Sequence, residues 1–209
     1  MTRKRPKQAK PNQPKEQKMK SLDFFKPTLA TTLAIVLAWL VSARPAQADY
    51  TVTLQQVGTD VVANGSGTIN LSGLTFVQSG TLNAGLRAYG VALSAVINTG
   101  PISSNVDSYS SPTGPTSFGF GSIFWPASSG SGYMVGIGTS IFGNALSVPR
   151  GYVSGTALSG MATYTGKNFA TLGVRPGTYV WTWGIGRNQN FTLQILPGNP
   201  TPTPTPAEW

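Results

Sequence analysis

After residue 48 the chain shows no sustained helical periodicity, and its apolar residues fall in short alternating stretches separated by glycine, serine and proline. Residues 50–54 and 68–71 alternate clearly, with residues 64–67 (Asn-Gly-Ser-Gly) predicted as the turn between them. Residues 86–97 fit either a strand or a short helix. Further strands are predicted at residues 74–77, 118–125, 133–137 and 152–154. This pattern predicts an all-β fold, a single antiparallel β-sandwich of immunoglobulin-like or jelly-roll-like type.

The clearest pair of strands is predicted near the C-terminal end, at residues 179–183 and 191–195. If they pair, the opposite face carries only valine, threonine and glutamine, so the aromatic face must be the core. The run at 172–179 also looks like the corner of immunoglobulin-like sandwiches, where a tyrosine hydroxyl, here that of Tyr179, bonds nearby backbone. The predicted core face comprises Tyr179, Trp181, Trp183, Phe191, Leu193 and Ile195.

The N-terminal segment is predicted to be a secretory signal peptide. Residues 28–43 are apolar and follow a basic segment, but they are shorter than the roughly 20 residues that a membrane-spanning helix needs. Small residues at Ala46 and Ala48 occupy the −3 and −1 positions of a cleavage after Ala48. An uncleaved signal anchor is the alternative. The expected organisation is a leader at 1–48, a β-sandwich at 49–196 and a disordered Thr-Pro tail at 197–209.

The strongly basic charge belongs to this leader. Ten of the fifteen lysines and arginines lie in residues 1–48, which carry a net charge of +8, whereas residues 49–209 carry +1. A nucleic-acid partner requires a basic surface on the folded body. We therefore predict no nucleic-acid binding, and no membrane association once the leader is removed.

The residue inventory argues against catalysis. The chain has no cysteine and no histidine, which excludes disulfides, thiolate or imidazole metal ligands and a Ser-His-Asp triad. Away from the ends of residues 49–209, the only carboxylates are Asp60 and Asp107. Both lie in sequence contexts where aspartate commonly bonds local backbone. We predict no enzymatic activity, no catalytic residues, no metal and no cofactor.

The resemblance to a known family lies in these segments: residues 113–119, residues 129–132 followed by 135–137, residues 148–155 and residues 169–184. They are similar to segments of secreted bacterial proteins of the PEP-CTERM, exosortase-associated type. The resemblance implies an extracellular protein and supplies no catalytic residues. The chain departs from that pattern at its end, where the Thr-Pro run leads to Ala-Glu-Trp209 without the apolar helix of a sorting tail. Either the protein is a released relative of this family or its C-terminus is truncated, and exosortase processing is not expected.

Two functions are compatible with these features. The first is a secreted, non-catalytic protein of the bacterial surface or extracellular matrix, with self-association or polysaccharide contact as its interactions. The alternative is a carbohydrate-binding module in which Trp125, at the start of a Gly- and Ser-rich loop, stacks on sugar. Trp125 is equally compatible with a core residue at a strand end, whereas Trp181 and Trp183 are predicted to be core.

Overall fold

A computed structural model describes residues 49–90, 95–140 and 143–198, and the leader and residues 199–209 of the tail lie outside the described residues. The described residues form eleven strands and one short helix. These are β1 (Tyr50–Val57), β2 (Asp60–Gly67), β3 (Thr75–Arg87), β4 (Ala95–Ser110), β5 (Trp125–Pro126), β6 (Ser129–Gly132), β7 (Val135–Ser140), β8 (Gly143–Pro149), β9 (Leu158–Tyr164), α1 (Phe169–Leu172), β10 (Gly177–Thr182) and β11 (Asn190–Ile195).

The strands form two sheets, which confirms the all-β prediction. One sheet has the order β10-β11-β1-β2-β9-β6 and the other β5-β3-β4-β7-β8. All pairs are antiparallel except β1 and β11, where Tyr50 lies opposite Phe191 in a parallel register. The prediction of purely antiparallel sheets is wrong at that pair. Strand β1 pairs antiparallel with β2, its hairpin partner, on one side, and on its other side it pairs with β11, which runs parallel to it.

The predicted turn at residues 64–67 is wrong, because these residues lie within β2. The β1–β2 hairpin turns instead around Gly58, whose φ is 60°. Gly65 faces inwards, and a Cβ added there would overlap the hydroxyl of Tyr50. Glycine therefore stands in this strand because the Tyr50 ring needs the space.

The alternating residues 68–71 form no strand. Their backbone is hydrogen-bonded by loops instead: the N–H of Ile69 donates to the Tyr152 hydroxyl at 3.0 Å, and that of Leu71 donates to the Ser154 hydroxyl at 3.0 Å. The strand predicted at 152–154 is also absent, because the side chains of Tyr152 and Ser154 hold the loop at residues 68–71 through these hydrogen bonds. Ile69 is fully buried and Leu71 packs against the core, so the alternation reflects two side chains that reach the core from a loop.

The segment 118–125 is also mostly irregular, with only a two-residue strand beginning at its end. The N–H groups of Phe120 and Gly121 both donate to the carbonyl of Gly173, at 2.7 and 3.0 Å. A Cβ at Gly119 would overlap the same carbonyl oxygen. The segment therefore crosses the α1 C-terminus closely and does not join a ladder.

Residues 86–97, which fit either a strand or a helix from the sequence, are strand at both of their described ends.

The C-terminal hairpin confirms the predicted core face. Trp181 lies opposite Phe191 and Tyr179 opposite Leu193, and Trp181 is fully buried. The Tyr179 hydroxyl donates to the carbonyl of Arg175 at 3.2 Å, as the corner motif predicts. Buried residues of both sheets form one hydrophobic cluster, which includes this face.

Strand β4 pairs with two different strands along its length, and this pairing shapes the second sheet. Its first half, from Ala95 to Thr99, pairs with β7, and its second half, from Val106 to Ser110, pairs with β8. Gly100, between the halves, has a φ of 119°, a value that favours glycine. Strands β7 and β8 also pair with each other, and β3 lies on the other side of β4, where β5 pairs with only two of its residues.

The two sheets approach backbone to backbone where glycines meet. A Cβ at Gly130 of β6 would overlap the carbonyl oxygen of Gly100 in β4. A Cβ at Gly160 of β9 would overlap the carbonyl oxygen of Tyr133, which lies between β6 and β7. We call these backbone contacts, of Gly100 with Gly130 and of Tyr133 with Gly160, the seam. A side chain larger than hydrogen does not fit at Gly130 or Gly160.

Two tyrosines between the sheets make the fold sensitive to alkali. Burial raises the pKa of Tyr50 to about 12, although its hydrogen bond with Thr99 lowers the pKa somewhat, and burial also raises the pKa of Tyr164. The unfolded chain releases these protons near pH 10.0, before the folded chain does. Their contribution to stability is therefore complete below about pH 10 and lost as the pH rises through the folded pKa.

We expect the free energy of unfolding to fall between about pH 10 and pH 12, by roughly 1.4 kcal/mol per pH unit for each buried tyrosine. Urea unfolding of the wild type and of Tyr50→Phe, at several pH values, measures this effect. The difference between the two proteins removes the contribution of other groups. A difference that stays constant across this range would contradict the expected titration of Tyr50.

Candidate functional surfaces

Trp125 is intermediate between the two alternatives of the sequence analysis, a core residue and an exposed sugar contact. It lies in β5 opposite Leu86 of β3, half-buried and packed against the hydrophobic cluster. The ammonium nitrogen of Lys167 lies 4.2 Å from the centroid of the indole ring. A cation at this distance is attracted to the ring face by about 0.5–1 kcal/mol at an exposed site. A sugar that stacked on the same face would have to displace Lys167.

The segment before Trp125 exposes several apolar side chains that the sequence did not single out. Phe120 is 68% exposed and Ile123 is 61% exposed, whereas Phe124 lies over Gly85 of β3. The guanidinium carbon of Arg175 lies 4.1 Å from the centroid of the Phe120 ring. The segment therefore combines exposed apolar surface with one aromatic ring covered by a cation.

Trp181 and Trp183 are excluded as an exposed platform, as predicted. Both are buried, and their indole N–H groups donate to backbone carbonyls, of Pro115 at 2.9 Å and of Asn70 at 2.7 Å. Such bonds satisfy the polar end of a buried tryptophan. Both side chains therefore belong to the core and its loops.

The structure does not bring the two candidate carboxylates into one site. Asp60 begins β2 and accepts a hydrogen bond from the N–H of Gly166 at 2.9 Å, whereas Asp107 lies in β4 of the other sheet. Asp107 accepts from the N–H of Gly151 at 2.9 Å and from the Ser79 hydroxyl. These two bonds, with a smaller attraction to Arg150, hold the pKa of the Asp107 carboxyl below its usual value. Each aspartate secures a loop.

Within residues 49–90, 95–140 and 143–198, no group of three or more acidic, cysteine or histidine residues could hold a metal ion. In the same part of the chain, no helix has the length and apolar character to cross a membrane.

The solvent face of the six-stranded sheet is a broad surface of neutral polar side chains. One row across it runs Thr178, Gln194, Thr53, Asn64, Met161 and Ser131, and the next runs Val180, Thr192, Thr51, Ser66 and Ser159. Neither row contains a charged side chain. We call these two rows the neutral face. In the sequence, the only indication of this face is the low number of charged residues after residue 48.

A shallow depression of about 170 Å³ lies at one side of the neutral face. Its lining includes Gly65, Gly132 and Gly160, together with Asn64 and Met161. The depression offers hydroxyl, amide and backbone groups and no titratable group. It can contact a neutral ligand by hydrogen bonds.

A further surface that was not predicted from the sequence is the outer edge of β3. Over residues 75–83 this strand pairs with β4 on one side, and β5 covers only Gly85 and Leu86 on the other. Phe76 and Val77 are 53% and 55% exposed, and the Phe76 ring packs edge-on against Tyr109. Residues 75–83 contain no charged residue and no proline. We call them the open edge.

No protein-family model, curated protein or solved structure matches this chain.

Proposed function

We propose that the chain is a secreted, non-catalytic protein of the bacterial surface or extracellular matrix. In this proposal the leader is cleaved after Ala48, residues 49–196 form a single β-sandwich, and the Thr-Pro tail follows as a spacer. The basic leader with its small residues at the cleavage site supports export. The resemblance to PEP-CTERM proteins supports the same compartment.

The observation that carries the proposal is the neutral face. Its hydroxyl and amide groups can exchange hydrogen bonds with a neutral polymer as readily as with water. A single such exchange contributes only about 0.5–1.5 kcal/mol net, so retention depends on many contacts along an extended chain. Because the face carries no charge, the interaction should depend little on salt. These properties suit a matrix component better than an enzyme.

The location is tested by fractionating the producing cells and sequencing the N-terminus of the protein recovered outside them. We expect a chain that begins at Asp49 in the medium or in the polymer layer. A full-length chain that remains in the cytoplasm would contradict the proposal.

The role is tested by washing the extracellular polymer layer at low and high salt. We expect wild-type protein to be retained in both washes and Asn64→Lys, at the centre of the neutral face, to be released more readily. The charge is introduced on a strand whose inward residues are unchanged, so folding is preserved. Complete release of the wild type in the low-salt wash would contradict a matrix role.

The alternative is a carbohydrate-binding module centred on Trp125. The exposed side chain of Phe120, near it in sequence, favours an aromatic contact, whereas the covering cation of Lys167 weighs against one. Retention on a panel of insoluble polysaccharides separates the two functions. Loss of retention in Trp125→Ala, with Asn64→Lys retained, supports the alternative, and the opposite result supports the neutral face.

A further inference from the structure

We infer that the open edge, residues 75–83 of β3, pairs with the open edge of a second copy of this chain. The inference extends the proposed matrix function by naming the chain itself as a partner. The two fail separately, since secretion and polymer retention do not require pairing of copies.

The first step is that the open edge has room for another strand. In the described part of the chain only β4 pairs with residues 75–83, and β5 begins to pair on the other side only at Gly85. The outer backbone N–H and C=O groups of an edge strand are a template for a further strand. Between Gln78 and Asn83 the register with β4 is regular, so six consecutive residues present an extended edge.

The second step is that the usual protection of an edge is largely missing. Edge strands are normally short, charged, interrupted by proline or distorted by bulges. The open edge has no charge and no proline, and its register shift near Val77 leaves Gln78–Asn83 undisturbed. Other edge strands are protected. Strands β5 and β6 have only two and four residues, and the outer edge of β10 is bridged by Thr113, which pairs with Thr182.

The third step identifies the occupant as a second copy. An antiparallel pair of identical strands is self-complementary, because each supplies the donors and acceptors that the other needs. Residues 49–209 carry a net charge of only +1, so copies repel each other weakly. The nearest carboxylate, Asp107, lies on the neighbouring strand β4 and accepts a hydrogen bond from Ser79. Two such carboxylates would be about 14 Å apart, three strand spacings, which exceeds the screening length at physiological salt.

Sedimentation of the purified chain over a wide concentration range tests the inference. We expect the average mass of the wild type to rise towards twice that of the monomer. Thr81→Lys places a charge on the open edge and is expected to weaken association at least about tenfold. Thr53→Lys makes the same change on the neutral face and should associate like the wild type. A wild type that is monomeric at every concentration, or a Thr81→Lys variant that associates equally well, overturns the inference.

Two further measurements test the inference even if the lysine variant misfolds. A mixture of Thr81→Lys with Thr81→Glu should form heterodimers more readily than either variant associates alone, because opposite charges then meet across the pair. Hydrogen exchange of the wild type should show protection of the amides of residues 76–82 that increases with protein concentration. Exchange that is independent of concentration at these amides contradicts the inference.

Discussion

Replacing Trp181 with alanine is expected to lower the free energy of unfolding by about 3–5 kcal/mol. The side chain is fully buried, and its ring packs edge-on against Phe191, with centroids 5.9 Å apart. Its indole N–H donates to the carbonyl of Pro115, and a Cβ at Gly114 would lie 2.6 Å from the indole Cδ1. The substitution leaves a cavity and also leaves the Pro115 carbonyl without its donor, and each of these effects lowers the free energy of unfolding.

Val180→Ala is the matched control, because Val180 is the preceding residue of β10 and points to solvent, 39% exposed. Its effect should stay within about 0.5 kcal/mol. Urea unfolding followed by circular dichroism measures both variants without depending on the removed tryptophan. Equal effects of the two substitutions would mean that β10 does not bury the face that carries Trp181.

The C-terminal hairpin is the part of the fold that could be predicted from the sequence. Its two strands alternate over their full length, and only one of the two faces is apolar enough to be core. The prediction of a turn at residues 64–67 is wrong, because glycine is typical both of turns and of strands under close contact. Which of these applies at Gly65 depends on the ring of Tyr50, which reaches it from the adjacent strand. The strand predicted at residues 68–71 is absent for another reason, since hydrogen bonds to the loop at 152–154 take the place of a ladder.

The candidate surfaces depend on contacts even more distant in sequence. Trp125 is covered by Lys167, and no local pattern around residue 125 indicates that lysine. The open edge of β3 follows from the order of strands, since the same uncharged residues in a central strand would be an ordinary ladder. The sequence does indicate the absence of charge, which is the property that the neutral face and the open edge share.

Gly160→Ala is expected to lower the free energy of unfolding by about 3 kcal/mol, near the upper end of the usual range for overpacking. Gly160 is buried in β9 between β2 and β6, and the added methyl group would overlap the carbonyl oxygen of Tyr133. That oxygen belongs to backbone, and the N–H of Tyr133 already donates to the carbonyl of Ser159 at 2.7 Å. The methyl group can therefore be accommodated only if the connection from β6 to β7 moves away, which separates the sheets at the seam.

The matched control is Gly138→Ala in β7, where the nearest atom to an added Cβ is a methyl carbon of Val96 at 4.0 Å. Alanine lowers the entropy of the unfolded chain, so this variant should be neutral or stabilised by up to about 1 kcal/mol. Thermal and urea unfolding of both variants measure the difference. If Gly160→Ala were as stable as Gly138→Ala, the two sheets would not be in backbone contact at the seam. A large loss in Gly160→Ala alone would establish that these glycines set the distance between the sheets.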